Sequence, residues 1–180
     1  MIRRFAVGLV LWGLSASSLL AAPADQIRVT PVIADRTVAA SFTASAALGA
    51  DIREVVQSGL LMTFTFLVEL RRPSGTWWDR TVGSVTVSSS IKFDNLSGIY
   101  QVSLMQDDHV TWSKQTKDFA DAREWLTSFD RVVLATDAAL EPNADYYIRV
   151  RMRTSPRRTF PLWPWGTDDG TGRADFTFIR

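Results

Sequence analysis

The sequence is poor in the residues that most often carry out chemistry. It contains no cysteine and a single histidine in 180 residues. The lack of cysteine excludes disulfide bonds, thiol nucleophiles, zinc–thiolate sites and the lipidated cysteine of bacterial lipoproteins. Neither a phosphate-binding loop nor a Gly-x-Ser-x-Gly motif occurs, and no ligand set recurs at a metal-binding spacing. We therefore predict no cofactor, no metal site and no catalytic residue, and we expect a protein that is not an enzyme.

Strong net charge is missing as well. The chain has 20 Lys and Arg residues against 19 Asp and Glu residues. If Arg3 and Arg4 leave with a leader peptide, 18 basic residues remain against 19 acidic ones, a net charge of about −1. Such a balance gives no reason to expect a nucleic-acid partner.

The N-terminus has the three-part order of a secretory signal peptide. Arg3 and Arg4 supply positive charge, an apolar run follows over Phe5–Leu14, and small residues lead to Ala24. The apolar run is shorter than the roughly 20 residues of a membrane-spanning helix. We predict a signal peptide over residues 1–24, cleavage before Asp25, and a periplasmic or secreted protein with no membrane span after cleavage.

The remaining residues 25–180 are predicted to form a single, mainly β domain. Apolar and polar residues alternate strictly along 62–70, where Glu69 is assigned to the polar face. Further predicted strands are separated by turn residues and cover 27–33, 37–42, 76–93, 100–104, 110–112, 132–135, 146–152 and 173–179. Pro31 places the first strand at an edge or a bulge, and Gly83 predicts a bulge or a break.

Two short helices interrupt the strands. Helical spacing of apolar residues predicts one over Asp51–Ser58, ended by Gly59, and another over Asp118–Phe129. Eight or nine strands with two short helices predict an antiparallel immunoglobulin-like β-sandwich.

Three segments carry a family resemblance. Trp77-Trp78-Asp79 follows a basic turn, a long turn and strand cover Asp94–Val102, and Tyr146–Met152 forms a strand rich in arginine. Together they resemble domain-of-unknown-function family 4390, whose members are exported and uncharacterised. Family genes often lie beside a membrane sensor kinase of the nitrogen-regulation type, so the resemblance implies a signalling neighbourhood without assigning a role to any residue.

One candidate binding feature is a stripe of arginines. Arg149, Arg151 and Arg153 alternate with apolar residues and therefore share one strand face, about 7 Å apart. The structural interpretation is a solvated sheet face neutralised by cross-strand acids such as Glu69. The functional interpretation is a site for an anionic ligand or an acidic partner.

The other candidate feature is tryptophan in loops. Trp77, Trp78, Trp163 and Trp165 lie in turn or loop context, where adjacent aromatic side chains cannot all enter one sheet core. They either cap the ends of the sandwich or form an aromatic contact patch for protein, peptide or glycan.

Other chemistry-bearing residues have simpler explanations. His109 is assigned to an exposed hairpin, and the segment Asp168–Gly172 to a tight turn, because it lacks the spaced ligands of a calcium loop. The sequence therefore favours a non-catalytic interaction module of the periplasm. Its expected partner is an envelope or membrane protein, such as a sensor kinase or an assembly component. A small-ligand-binding protein or an enzyme with a site formed only in three dimensions is the alternative.

Overall fold

The computed structural model describes residues 26–48, 52–75, 78–155 and 170–179. The predicted signal peptide, Trp77, and the segment that contains Trp163 and Trp165 lie outside these ranges. The described residues form nine strands and two α-helices: β1 Arg28–Ala34, β2 Thr37–Thr43, α1 Ile52–Gln57, β3 Met62–Arg72, β4 Arg80–Asp94, β5 Ile99–Gln106, β6 His109–Thr116, α2 Phe119–Thr127, β7 Ser128–Thr136, β8 Ala144–Ser155 and β9 Gly170–Phe178.

The strands form two antiparallel sheets, which confirms the predicted β-sandwich. The small sheet has the order β1-β2-β7, and the large sheet has the order β6-β5-β4-β3-β8-β9. Pro31 lies in β1, an edge strand, as predicted. Among the described helices, none has the length and apolar character needed to cross a membrane.

The core lies between the two sheets, and the alternation of β3 explains how it forms. Every second residue of β3 from Met62 to Leu70 is buried. Phe66 of β3 meets Phe42 and Phe129 of the small sheet, with ring centroids 5.4 and 4.7 Å away. These aromatic rings tie the two sheets together, since such pairs add to the stabilisation from burial.

Two glycines let the sheets approach each other closely at both margins. A Cβ atom added to Gly83 of β4 would lie 2.2 Å from the carbonyl oxygen of Leu134 in β7. A Cβ atom added to Gly172 of β9 would lie 2.1 Å from the carbonyl oxygen of Ile27, just before β1. The small sheet therefore covers the large sheet from β4 to β9. The bulge predicted at Gly83 is present as a shift in the β3–β4 register.

The helices cover the rest of the inner face of the large sheet. Helix α1 packs on β4, while α2 packs on β4, β5 and β6. Asp118 caps α2 by accepting a hydrogen bond from the backbone N–H of Ala120, 2.7 Å away. Gly59, with φ of +86°, follows α1 as the sequence predicts.

Three predicted boundaries are wrong. Helix α2 ends at Thr127, and Phe129 belongs to β7, where it stacks on Phe42 at 4.5 Å. Its apolar spacing fits a helix and a strand equally well, and contact with the opposite sheet decides between them. Strand β4 begins at Arg80 and not at residue 76. Gly170–Gly172 open β9 and do not form a tight turn, because Ile27 packs against their bare backbone.

Candidate binding site

The arginine stripe lies on the outer face of the large sheet, which is the face turned away from the small sheet. Ile148, Val150 and Met152 of β8 are buried in the core, so the arginines between them point outward. In the register with β3, Arg149 pairs with Glu69 and Arg151 pairs with Leu67. The third arginine of the stripe, Arg153, is exposed and pairs with Thr65.

Glu69 is the centre around which three guanidinium groups gather. Arg149 donates to its Oε2 from Nε at 3.2 Å and from Nη2 at 2.8 Å. Arg151 Nη2 donates to the same oxygen at 3.2 Å, and Arg71 Nη1 donates to Oε1 at 3.2 Å. We call Glu69 with Arg71, Arg149 and Arg151 the arginine cluster. The ion pairs agree with the prediction that Glu69 offsets the stripe.

The exposure of Glu69 differs from the sequence expectation. Its place on the polar face of β3 predicts contact with solvent, yet the residue is only 7% exposed. Three arginine side chains bond to the carboxylate and surround it, which a pattern of polar and apolar residues does not reveal. Glu69 is thus a buried support beneath the arginines.

The charges of the cluster control the ionisation of Glu69. Burial acts to raise the pKa of its carboxyl group, whereas the hydrogen bond from Arg149 and the positive charges of all three arginines act to lower it. The charged partners outweigh burial, so the pKa lies below its ordinary value. Glu69 is ionised at neutral pH, and its charge is shared among three cations.

Asp79 connects the cluster to the tryptophan segment. Its carboxylate accepts hydrogen bonds from the Tyr147 hydroxyl at 2.5 Å and from the Ser74 backbone N–H at 3.2 Å. Its backbone carbonyl accepts a hydrogen bond from Arg71 Nη2 at 2.9 Å. The hydrogen bond from Tyr147 is the main cause of a lowered pKa at Asp79. Trp78, the next residue in the chain, is 85% exposed.

Tyr147 and Arg173 extend the site toward β9. Tyr147 is buried, and the guanidinium carbon of Arg173 lies 3.8 Å from the centre of its ring. Arg173 also forms an ion pair with Asp175 at 2.6 Å. Burial and the hydrogen bond to Asp79 raise the pKa of Tyr147, so its hydroxyl remains a donor at neutral pH. The tyrosine is therefore fixed from both sides.

The structure thus brings together two features that are separate in the sequence, the arginine stripe and Trp78. Trp77, Trp163 and Trp165 lie outside the described residues. Sequence reasoning missed Arg71, Asp79, Tyr147 and Arg173. Arg71 could have been found from the sequence, because it lies two positions after Glu69 on β3 and therefore shares its face. Asp79 joins the site through hydrogen bonds, which no sequence pattern predicts.

Metal binding next to the cluster has no support among the described residues. No group of three or more His, Asp or Glu residues is placed to hold a metal ion within these residues. His109 is exposed, and its Nδ1 lies 2.8 Å from the Asp107 carbonyl oxygen. A depression of about 190 Å³ beside Ser41 and Asp130 lies on the small sheet, apart from the arginine cluster.

One nucleophile pattern does occur, because Ser89-Ser90-Ile91-Lys92 has Ser-x-x-Lys spacing. Both residues lie on β4, where positions three apart point to opposite faces. Ser89 is buried and donates to the Leu126 carbonyl oxygen at 2.9 Å, while Lys92 is exposed. The serine therefore supports the packing of α2 and cannot be activated by this lysine.

These features define a β-sandwich protein with an arginine and aromatic site on the outer face of its large sheet. A family model matches residues 21–163, and the chain belongs to the family described as Domain of unknown function (DUF4390). All three segments that carry the resemblance in the sequence lie within this match. No curated protein and no solved structure matches the chain.

Proposed function

We propose that this protein is a non-catalytic interaction module of the bacterial envelope, which binds an acidic protein surface through Trp78 and the arginine cluster. The observation that carries the proposal is the link through Asp79, which holds the backbone next to the exposed Trp78 against Arg71 of the arginine cluster. Tryptophan, tyrosine and arginine are the residues most enriched among the energetic centres of protein interfaces.

The rigidity of the site favours a role in binding over a role as a merely solvated face of the sheet. Arg71, Arg149 and Arg151 are each held by a carboxylate that is itself buried, so little side-chain freedom remains to be lost on association. Their side chains are 19%, 33% and 28% exposed, which leaves part of each side chain accessible to a partner. Planar guanidinium groups suit carboxylate recognition, because they present several donors in a fixed geometry.

We propose further that the module acts outside the cytoplasm, after removal of residues 1–24. Its partner is another envelope or membrane protein, either the extracytoplasmic part of a sensor kinase or an assembly component. The tripartite N-terminus supports this setting. The mass of the protein recovered from the envelope or the medium should correspond to a chain that begins at or near Asp25. A full-length mass in the membrane fraction would contradict export with cleavage.

The test of function is photocrosslinking in cells from a photoreactive residue at position 78. The expected result is one specific captured protein whose contact surface is acidic, with no capture from the same residue at position 133, which is exposed on the small sheet. Binding of the purified partner should weaken as salt concentration rises, because the contact depends on charge.

A pair of substitutions separates the site from the rest of the surface. Trp78→Ala should weaken binding by about 2 kcal/mol, roughly thirtyfold, without changing the fold. Leu96→Ala is the matched control, because Leu96 is 99% exposed and lies at the opposite end of β4. Equal effects of the two substitutions, or binding that is indifferent to salt, would overturn the proposed site.

A further inference from the structure

Strand β6 presents a free backbone edge. It ends the large sheet and pairs only with β5 within the described residues. Six of its eight residues are exposed, and it contains no proline. A shift in register sets Thr111 out of the ladder, after which Trp112–Thr116 pair regularly. Unpaired N–H and C=O groups on such an edge are a template for another strand.

The other three described sheet edges are protected, and this contrast makes β6 informative. Strand β1 contains Pro31, and β9 is met by Ile27, whose N–H donates to the Thr171 carbonyl oxygen at 3.2 Å. Strand β7 lies against β4 through Leu134, and its Arg131 has a left-handed φ of +49°. Folded monomers manage their edges by such devices. On β6 the register shift at Thr111 protects only the first part of the strand, and the regularly paired stretch Trp112–Thr116 beyond it leaves its outer backbone groups open to a partner strand.

The lysine of β6 does not guard this edge. The ammonium group of Lys114 lies 4.8 Å from the centre of the Trp112 ring and 5.2 Å from that of Trp125 in α2. These contacts hold the charge over the inner face of the sheet, because α2 packs on that face. The path of a neighbouring strand beside β6 therefore remains open.

The sequence of β6 is complementary to itself. In an antiparallel pair of two copies with Ser113 on the two-fold axis, Trp112 faces Lys114 of the other copy. An aromatic–cation pair is thereby formed on each side of the axis, and no like charges lie opposite each other. A register centred on Lys114 would instead oppose two lysines. A two-fold interface of this kind uses the same surface of both subunits.

From this we infer that two copies of the chain pair antiparallel through β6, about Ser113, so that their large sheets become continuous. The inference is independent of the proposed function, because β6 is separated from the arginine-bearing β8 by β5, β4 and β3.

The absence of cysteine makes a direct test available. Ser113→Cys in the full chain should give a disulfide-linked dimer under mild oxidation, because residues directly opposite in an antiparallel pair lie within disulfide reach. Thr30→Cys is the matched control, since Thr30 is exposed on the proline-containing edge strand β1. The control should remain monomeric under the same conditions.

Sedimentation equilibrium of the unmodified protein and of Ser113→Lys supplies the second measurement. The unmodified protein should be dimeric, and Ser113→Lys should dissociate at least tenfold more readily, because two lysines would meet on the axis. Ser113 is exposed, so the substitution leaves the core intact. A monomeric unmodified protein, a dimer indifferent to Ser113→Lys, or a Ser113→Cys variant that links only to a different protein would each overturn the inference.

Discussion

Removal of the Glu69 charge is the sharpest test of how the arginine cluster is held. Glu69→Gln keeps the size of the side chain but deletes the charge that accepts four hydrogen bonds from three arginines. Breaking a buried ion pair from one side costs about 3–5 kcal/mol in general. The three arginine side chains here remain 19–33% exposed, and water can compensate part of the loss. We therefore expect unfolding to become easier by about 2–3 kcal/mol.

This change is measurable by thermal unfolding. For a domain of this size, each kcal/mol shifts Tm by about 2–4 °C, so Glu69→Gln should lower Tm by roughly 4–12 °C. Glu141→Gln is the matched control, because Glu141 is 62% exposed in its side chain and pairs only with Arg72 among the described residues. Its substitution should leave Tm essentially unchanged, as expected for a surface ion pair.

The pH dependence provides an independent check with a definite sign. The pKa of Glu69 is lower in the folded chain than its ordinary value of about 4.3. Its contribution to stability is therefore complete above about pH 4.3 and is lost as pH falls through the folded-state pKa. The Tm difference between the unmodified protein and Glu69→Gln should shrink over this acid range. A Tm loss no larger than that of Glu141→Gln, or a difference that is constant down to about pH 3, would refute the reasoning.

The close approach of the two sheets yields a second stability prediction, and export a further one. Gly172→Ala should destabilise the fold by about 1–3 kcal/mol, because the new Cβ would meet the Ile27 carbonyl oxygen at 2.1 Å. Chemical denaturation measures this loss of stability. Gly75→Ala is the control and should have no comparable effect, because no atom lies within 4 Å of the added Cβ. Equal midpoints for the two variants would contradict the close contact. Mass spectrometry of exported protein should give an N-terminus at or near Asp25, and an intact Met1 would contradict cleavage.

The fold was largely predictable because strand alternation is local. The alternation along β3 identifies its five apolar core residues from sequence, and the strand is present as Met62–Arg72. Phe129 was assigned to a helix because its spacing from Trp125 and Leu126 fits a helical face. Its stacking on Phe42, far earlier in the chain, places it in β7, and a local pattern cannot report such a contact.

The candidate site was predictable only in part, for a related reason. Alternation along β8 correctly places Arg149 and Arg151 on one face, and Glu69 was identified as a cross-strand acid. The burial of Glu69 depends on three side chains from two strands folding over it, and the link from Arg71 to Trp78 passes through a backbone carbonyl. Neither the burial of Glu69 nor this hydrogen bond produces a pattern that can be recognised in the sequence.

Pairing through β6 would change what the arginine cluster can recognise. The two-fold axis of an antiparallel strand pair is perpendicular to the sheet, so the two arginine clusters would be related by that axis, and the twist of the sheet would turn their faces away from each other. Nine strand spacings of about 4.8 Å separate the two β8 strands in such a sheet, which places the clusters roughly 40 Å apart before twist is considered. Two modest, salt-sensitive contacts at a fixed spacing bind a matching pair of sites far more tightly than one. The dimer would therefore bind most tightly to a partner that offers two acidic surfaces which both clusters can reach at once.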